Sequence, residues 1–288
     1  MSEKMKNLIT RSITGVIFVA IVVTCFLRPE AMILVFALVT GLTVWEYTGL
    51  IDAHTDGSVN RFITTAAGVY LFFAMAGYCS GITPPAVFIP YLLTVVYLFI
   101  SELYLAAPNP INNWAYTMLS QMYIALPFSM LNVLAFRTDG NTLFTPLLPL
   151  SVFVFLWIND TGAYLSGSLF GKHKLFPRVS PGKSWEGSIG GGLLVVAVAA
   201  LMGWLETSGT VVMDNAYFSI PEWMGLGLIV VFFGTWGDLV ESLFKRTLGI
   251  KDSGSILPGH GGMLDRFDSS LMALPAAVIY VYTLTFFA

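Results

Sequence analysis

Residues 223–268 read WMGLGLIVVFFGTWGDLVESLFKRTLGIKDSGSILPGHGGMLDRFD. The run is apolar with small residues as far as Trp236, and from Asp238 onward charge accumulates until it dominates. An apolar stretch near twenty residues suits a helix that crosses a bilayer, because at about 1.5 Å per residue it spans roughly 30 Å of hydrocarbon. Asp238, Glu241, Ser242 and Lys245 recur at three- and four-residue spacing, which predicts one polar helical face running from within the apolar run to its charged end. Beyond it, segment 242–268 combines Lys245, Arg246, Lys251 and Arg266 with Asp252, Asp265, Asp268 and His260, while Gly254, Gly259, Gly261 and Gly262 keep the backbone open. That mixture suits a phosphate and metal site.

The rest of the chain repeats the apolar half of this pattern. Of 288 residues 56% are hydrophobic and 11% charged, and the mean hydropathy is +0.77, so a soluble globular domain is excluded in favour of a polytopic membrane protein. Apolar runs predict nine spans, near 12–28, 31–51, 62–80, 86–104, 116–136, 147–170, 188–206, 223–245 and 269–287. The first lacks a small-residue cleavage site and a second apolar run follows at once, so it reads as a span and not as a signal peptide. The fold class is an all-α polytopic helix bundle. It reads as a single transmembrane domain, 1–288, with N-terminal helices over 1–150 and catalytic helices over 151–288 that carry polar loops 171–187 and 245–268. Cys25 and Cys79 both lie in apolar runs and read as small hydrophobes.

Lysine and arginine positions set the expected orientation. With Lys4, Lys6 and Arg11 on the cytoplasmic side, Arg61, Lys172, Lys174, Arg178, Lys183, Lys245, Arg246, Lys251 and Arg266 fall there too; only Arg28 and Arg137 of the 14 basic residues fall outside. Both polar loops are then expected at the cytoplasmic face, where nucleotides are, and the protein in the cell (inner) membrane.

Individual charges divide into those that solvate span ends and those that need another reason. Lys172, Lys174 and Arg178 stand at a span end, where snorkelling and headgroup contact explain them as well as substrate binding does. Asp160, in LWINDTGAYL, stands about ten residues before its helix end, roughly 15 Å deep at about 1.5 Å per residue. A carboxylate at that depth costs roughly 2.5–3.5 kcal/mol, so it should face a polar cavity or a cation. Asp238 belongs to the same class. Asp265 and Asp268 open the last helix, where acidic residues also serve simply as partners of the helix dipole.

Familiar nucleotide motifs fail. Gly167–His173 is one residue short of a P-loop and ends in His, and Gly182-Lys183-Ser184 lacks the glycine five positions earlier. His54, His173 and His260 are too scattered for zinc. Clustered Asp residues offer hard oxygen ligands, which favour Mg²⁺ or a similar cation.

Ser242, Phe244, Lys245, Arg246, Lys251, Asp252, Gly254, Leu257, Pro258, His260, Gly261, Gly262, Met263, Asp265, Arg266, Phe267 and Asp268 fill every specified position of one signature, that of the CDP-diacylglycerol synthase (phosphatidate cytidylyltransferase) family, which the chain resembles. DTGAYLSGSLFGKHKL and SPGKSWEG resemble the family's second polar stretch, so the specific likeness covers roughly 157–270, whereas 1–150 matches only as a hydrophobic array. The resemblance implies transfer of a cytidylyl group from CTP to phosphatidate, giving CDP-diacylglycerol and pyrophosphate, with Mg²⁺ as cofactor and room for a second cation. Membrane lipids are the expected surroundings, nucleic acid is not an expected partner, and a homodimer is compatible with the reading.

The expected roles follow from residue chemistry within that frame. Asp238 and Asp265 are expected as metal ligands, with Asp268 and Asp160 as further ligands or supports. Lys245, Arg246, Lys251 and Arg266 are expected to clamp phosphates, and Ser180, Lys183, Ser184, Ser242, Lys172, His260, Gly261 and Gly262 to bind substrate. Gly187, Gly190, Gly191 and Gly192 fit close helix packing better than ligand binding. Two other classes compete. A CTP-dependent lipid kinase shares membrane, nucleotide and metal but leaves no CMP on the lipid; a proton-coupled transporter has no use for so long a charged loop.

Overall fold

The computed structural model describes residues 3–138, 142–208, 218–256, 259 and 261–287. In chain order they form α1 (Glu3–Cys25), α2 (Pro29–His54), α3 (Arg61–Cys79), α4 (Ile89–Leu105), α5 (Pro110–Ser120), α6 (Leu126–Ala135), strands β1 (Phe136–Thr138) and β2 (Thr142–Phe144), α7 (Leu147–Phe170), strands β3 (Lys174–Phe176) and β4 (Ser180–Ser184), α8 (Trp185–Thr207), α9 (Ile220–Thr247) and α10 (Leu264–Phe287). Among the described residues eight helical segments are long and apolar enough to cross a membrane, and the predicted first span falls on the shorter apolar stretch Ser12–Cys25 within α1. The expected helix bundle is therefore observed, with two short antiparallel hairpins added.

The helix ends differ from the apolar runs in an instructive way. Helix α9 continues to Thr247 and α10 starts at Leu264, so Lys245 and Arg246 ride the last turn of one helix, and Asp265, Arg266 and Asp268 the beginning of the other. The loop is 248–263, shorter than the predicted 245–268. Basic residues at a helix C-terminus and acidic ones at an N-terminus complement the helix dipole, which lets polar residues extend a helix beyond its apolar run. Similarly, α8 begins at Trp185 because the Ser184 side chain caps it, accepting a hydrogen bond from Gly187 N at 3.1 Å.

The chain forms two compact units, one of residues 1–146 with 248–267, the other of 147–247 with 268–288. In the first, α3 packs against α2 and α6. A triangle of rings, Phe36, Phe128 and Phe267, with centroids 5.5–6.5 Å apart, fixes the start of α10 to α2 and α6. A π-helical turn, Gln121–Ala125, joins α5 to α6. Pro127 follows and has no N–H to continue the ladder, while Gln121 Nε2 donates to Thr64 O on α3 at 3.0 Å.

In the second unit α8 packs on both α7 and α9. Backbones of α7 and α8 come so close that a Cβ on Gly162 would stand 2.9 Å from Gly191 Cα, the small-residue packing that helices adopt in lipid. Buried Trp223 locks the far end of α9, donating from Nε1 to Glu206 Oε2 at 2.6 Å and meeting Phe155 edge-on.

Candidate functional site

In the second unit, three helices and a hairpin bring polar groups together. Lys183, on β4, places its Nζ 2.5 Å from Asp238 Oδ2 on α9, and each side chain is 26% exposed. The other Asp238 oxygen, Oδ1, accepts from Ser242 Oγ one turn later at 3.2 Å. Asp268 on α10 accepts from Ser269 N at 2.5 Å, and it experiences the charges of Asp238, of Asp160 on α7, and of Lys183. The absence of a side chain at Gly237 permits this arrangement, since a Cβ there would stand 2.9 Å from Asp268 O. Helices α9 and α10 therefore touch backbone to backbone next to Asp238.

Asp238 and Asp160 both lie within electrostatic reach of Asp268, and the Lys183 ammonium offsets only part of the repulsion, an arrangement unfavourable for folding alone. Their donors are hard oxygens only, which is the chemistry of an Mg²⁺ site. Among the described residues no group of three or more His, Cys, Asp or Glu side chains already stands as a metal cage. The donor set fits a cation that arrives with additional oxygens of its own, as Mg²⁺ bound to phosphates does.

The other basic residues stand in different settings. Lys245 pairs with Glu241 at 2.7 Å, both side chains nearly withdrawn from solvent at 12% and 0% exposure, while Arg246, Lys251 and Arg266 are exposed. At the hairpin, Glu186 accepts from Lys172 N and His173 N and lies 2.5 Å from His173 Nδ1. The Lys172 side chain is exposed and Ser180 half-buried on β4. Ser184 is buried and occupied as the α8 cap.

The 248–263 loop belongs to the first unit, and a second pair of carboxylates builds it. Asp265 Oδ2 accepts from Ser253 N and Gly262 N, both at 2.8 Å. Glu46, near the end of α2 and 7% exposed, accepts from Met263 N at 2.9 Å through Oε2 and from Leu264 N at 3.0 Å through Oε1. The Ser253 hydroxyl also donates to Glu46 Oε1. Gly261 turns the loop with φ +81°, in the left-handed region. His260 lies outside the described residues.

The structure thus brings Asp160, Asp238, Asp268, Lys183 and Ser242 into one electrostatic neighbourhood in the second unit, and groups Asp265 with Gly262 and Ser253 in the first. Glu46, Ser253, Glu241 and Glu186 were not among the expected site residues. Glu46 carried a usable signal, being the sole charged side chain within the apolar run 31–51. Glu186 follows a Ser-Trp pair at a helix start, where a carboxylate meets free amides.

Residues 9–284 match the cytidylyltransferase family, and the chain belongs to it. Phosphatidate cytidylyltransferase of Haemophilus influenzae is 35% identical over 277 residues, covering 90% of this chain and 93% of that one. The Staphylococcus aureus (strain COL) protein of the same name is 49% identical over 128 residues, 44% of this chain and 45% of its own. That of Staphylococcus saprophyticus is 42% identical over 163 residues, 56% of each.

Proposed function

We propose that this protein is a phosphatidate cytidylyltransferase, joining CTP and phosphatidate into CDP-diacylglycerol and pyrophosphate. The observation that carries the reading is the Lys183–Asp238 pair with Asp160 and Asp268, continuous in the chain with the walls of an apolar groove. Trp185 and Ile189 on α8 and Phe232 and Trp236 on α9 line that groove, of about 560 Å³. A cluster of charges whose neighbours form an apolar slot suits a molecule with a phosphate head and an acyl chain. The names of the relatives supply the same substrate.

In the reaction an oxygen of the phosphatidate monoester forms a bond to the α-phosphorus of CTP, and the bond from that phosphorus to the β-bridging oxygen breaks. The monoester is already largely dianionic near neutral pH, with a second pKa of about 6, so the nucleophile needs no dedicated base. The barrier lies in bringing anions together. Lys183 supplies positive charge at the centre, Asp238 and Ser242 orient it, and Lys251, Arg246 and Arg266 are the donors proposed for the triphosphate and the departing pyrophosphate. Lys245, committed to Glu241, orients the end of α9. Asp238, Asp268 and Asp160 are the residues proposed to hold Mg²⁺, which when bound would neutralise phosphate charge. The site is proposed to face the cytoplasm from the inner membrane.

The test uses detergent-purified protein with phosphatidate, Mg²⁺ and CTP labelled on the α-phosphate. Label in a nucleotide-linked lipid with stoichiometric pyrophosphate is expected. Absence of that lipid across metal and detergent conditions refutes the proposal, and a γ-phosphoryl transfer product would instead identify a lipid kinase.

A further inference from the structure

Glu46 is 207 residues from Ser253 in the chain, yet its carboxylate accepts from the Ser253 hydroxyl and from two consecutive backbone amides, Met263 and Leu264. We infer that Glu46 is the positioning residue of the 248–263 loop, so that a helix outside the signature sets the geometry of the loop that carries it. The inference rests on the reading above, in which this loop handles nucleotide phosphates.

The case begins with the amides. Met263 and Leu264 precede and open α10, and N–H groups at a helix start have no partner within the helix. Glu46 satisfies two of them at 2.9 and 3.0 Å, and these charge-assisted bonds are stronger than neutral ones. The next observation concerns packing. A Cβ on Gly262 would stand 2.1 Å from Glu46 Oε1, and one on Gly254 2.7 Å from Glu46 Oε2. Neither glycine has its φ in the left-handed region, since the positive-φ glycines are others. Gly254 and Gly262 are therefore small because a carboxylate occupies the space a side chain would take. Glycines in this loop invite a reading as phosphate-binding backbone, but these two are fitted around Glu46.

A third observation ties the two carboxylates of the loop together. Ser253 donates its hydroxyl to Glu46 and its N–H to Asp265, and its Oγ lies 3.3 Å from Asp265 N. Glu46, Ser253 and Asp265 form one network. Releasing Glu46 leaves two helix-start amides and a buried serine without their acceptor, which displaces Lys251 and Arg266 in proportion to how far the loop relaxes. Glu46 touches no substrate in this account.

The experiment pairs kinetics with amide exchange. Glu46→Gln is nearly isosteric but faces the amides with one carbonyl oxygen in place of two carboxylate oxygens. Its kcat/KM for CTP is expected to fall about 10- to 100-fold, the scale on which loss of an orienting group is felt. KM for CTP should change more than KM for phosphatidate, and exchange at Met263 and Leu264 should quicken while the middle of α2 stays protected. A double-mutant cycle adds a readout that general instability does not move. Gly262→Ala collides with Glu46, so its penalty should shrink when made in Glu46→Ala, which opens the space. Additive penalties, or a folded Glu46→Gln protein with wild-type kinetics and wild-type exchange at 263–264, would overturn the inference. If the wild type makes no CDP-diacylglycerol, the proposed function fails by itself; the exchange data and a stability version of the same cycle still decide the role of Glu46.

Discussion

Two sets of carboxyl groups in this molecule solve the same problem in opposite ways. Glu46 and Asp265 are withdrawn from water and satisfied, their oxygens accepting from the amides of Ser253, Gly262, Met263 and Leu264. Asp238 and Asp160 lie within electrostatic reach of Asp268, with the ammonium of Lys183 paired to Asp238. The first arrangement is what stability favours, because every buried acceptor has a donor. In the second, repulsion among the acids opposes folding, and such tension persists where another charged species is to be received. The difference separates groups that build a site from groups that use it.

Amide substitutions break that comparison most directly. Asp238→Asn should lower turnover by three orders of magnitude or more, on the scale of losing a central electrostatic group, while the protein remains folded and monodisperse. Radiolabelled CTP turnover beside size-exclusion profiles checks it, and near wild-type turnover would remove Asp238 from the centre. Next in size, Lys183→Met leaves the acids without their cation. It should reduce kcat/KM by about 100-fold and lower thermal stability, with part of the stability recovered at high Mg²⁺ if a cation occupies the vacated charge. A melting series against Mg²⁺ reads that recovery.

Smaller effects should differ in sign between the two sets. Asp268→Asn relieves repulsion and should raise the melting temperature by a few degrees while impairing catalysis, whereas Asp265→Asn, which weakens charge-assisted bonds to two amides, should destabilise by about 1–3 kcal/mol. Differential scanning fluorimetry of the two variants side by side sharpens or dissolves the distinction; equal signs would dissolve it. Ser184→Ala, losing the α8 cap, should cost about 1 kcal/mol with little change in KM. Lys172→Ala should be the mildest, with less than about a threefold change in KM that widens at low salt, as long-range charge effects do.

The sequence made the bundle legible because apolar runs of bilayer length admit few other structures. It singled out Asp160 and Asp238 as charges needing a polar setting, since depth and helical spacing follow from residue count alone. The pairing of Lys183 with Asp238 was not legible: it depends on the β3–β4 hairpin, whose strands of three and five residues are too short and polar to leave a periodic signal. Helix ends at Thr247 and Leu264 were hidden because charged residues there resemble loop. Glu46 was passed over because one acid scarcely alters the hydropathy of a long run, and its partners lie across the chain in loop backbone that carries no side-chain code.

The Glu46 tether has a consequence for how this protein is made. Helix α2 must enter the membrane with its carboxylate while Ser253, the partner 207 residues later, has not been synthesised. At roughly 5–20 residues per second that interval is on the order of 10–40 s. Until it ends, an intramembrane acid must be tolerated by lipid, translocon or water, at a cost of roughly 2.5–3.5 kcal/mol on insertion scales. Nascent chains arrested before Ser253 should therefore expose a cysteine placed at Thr43, buried one turn before the retained Glu46, to thiol-directed labelling, and chains released after Leu264 should protect it. The last quarter of the polypeptide thus finishes the insertion of a helix from the first.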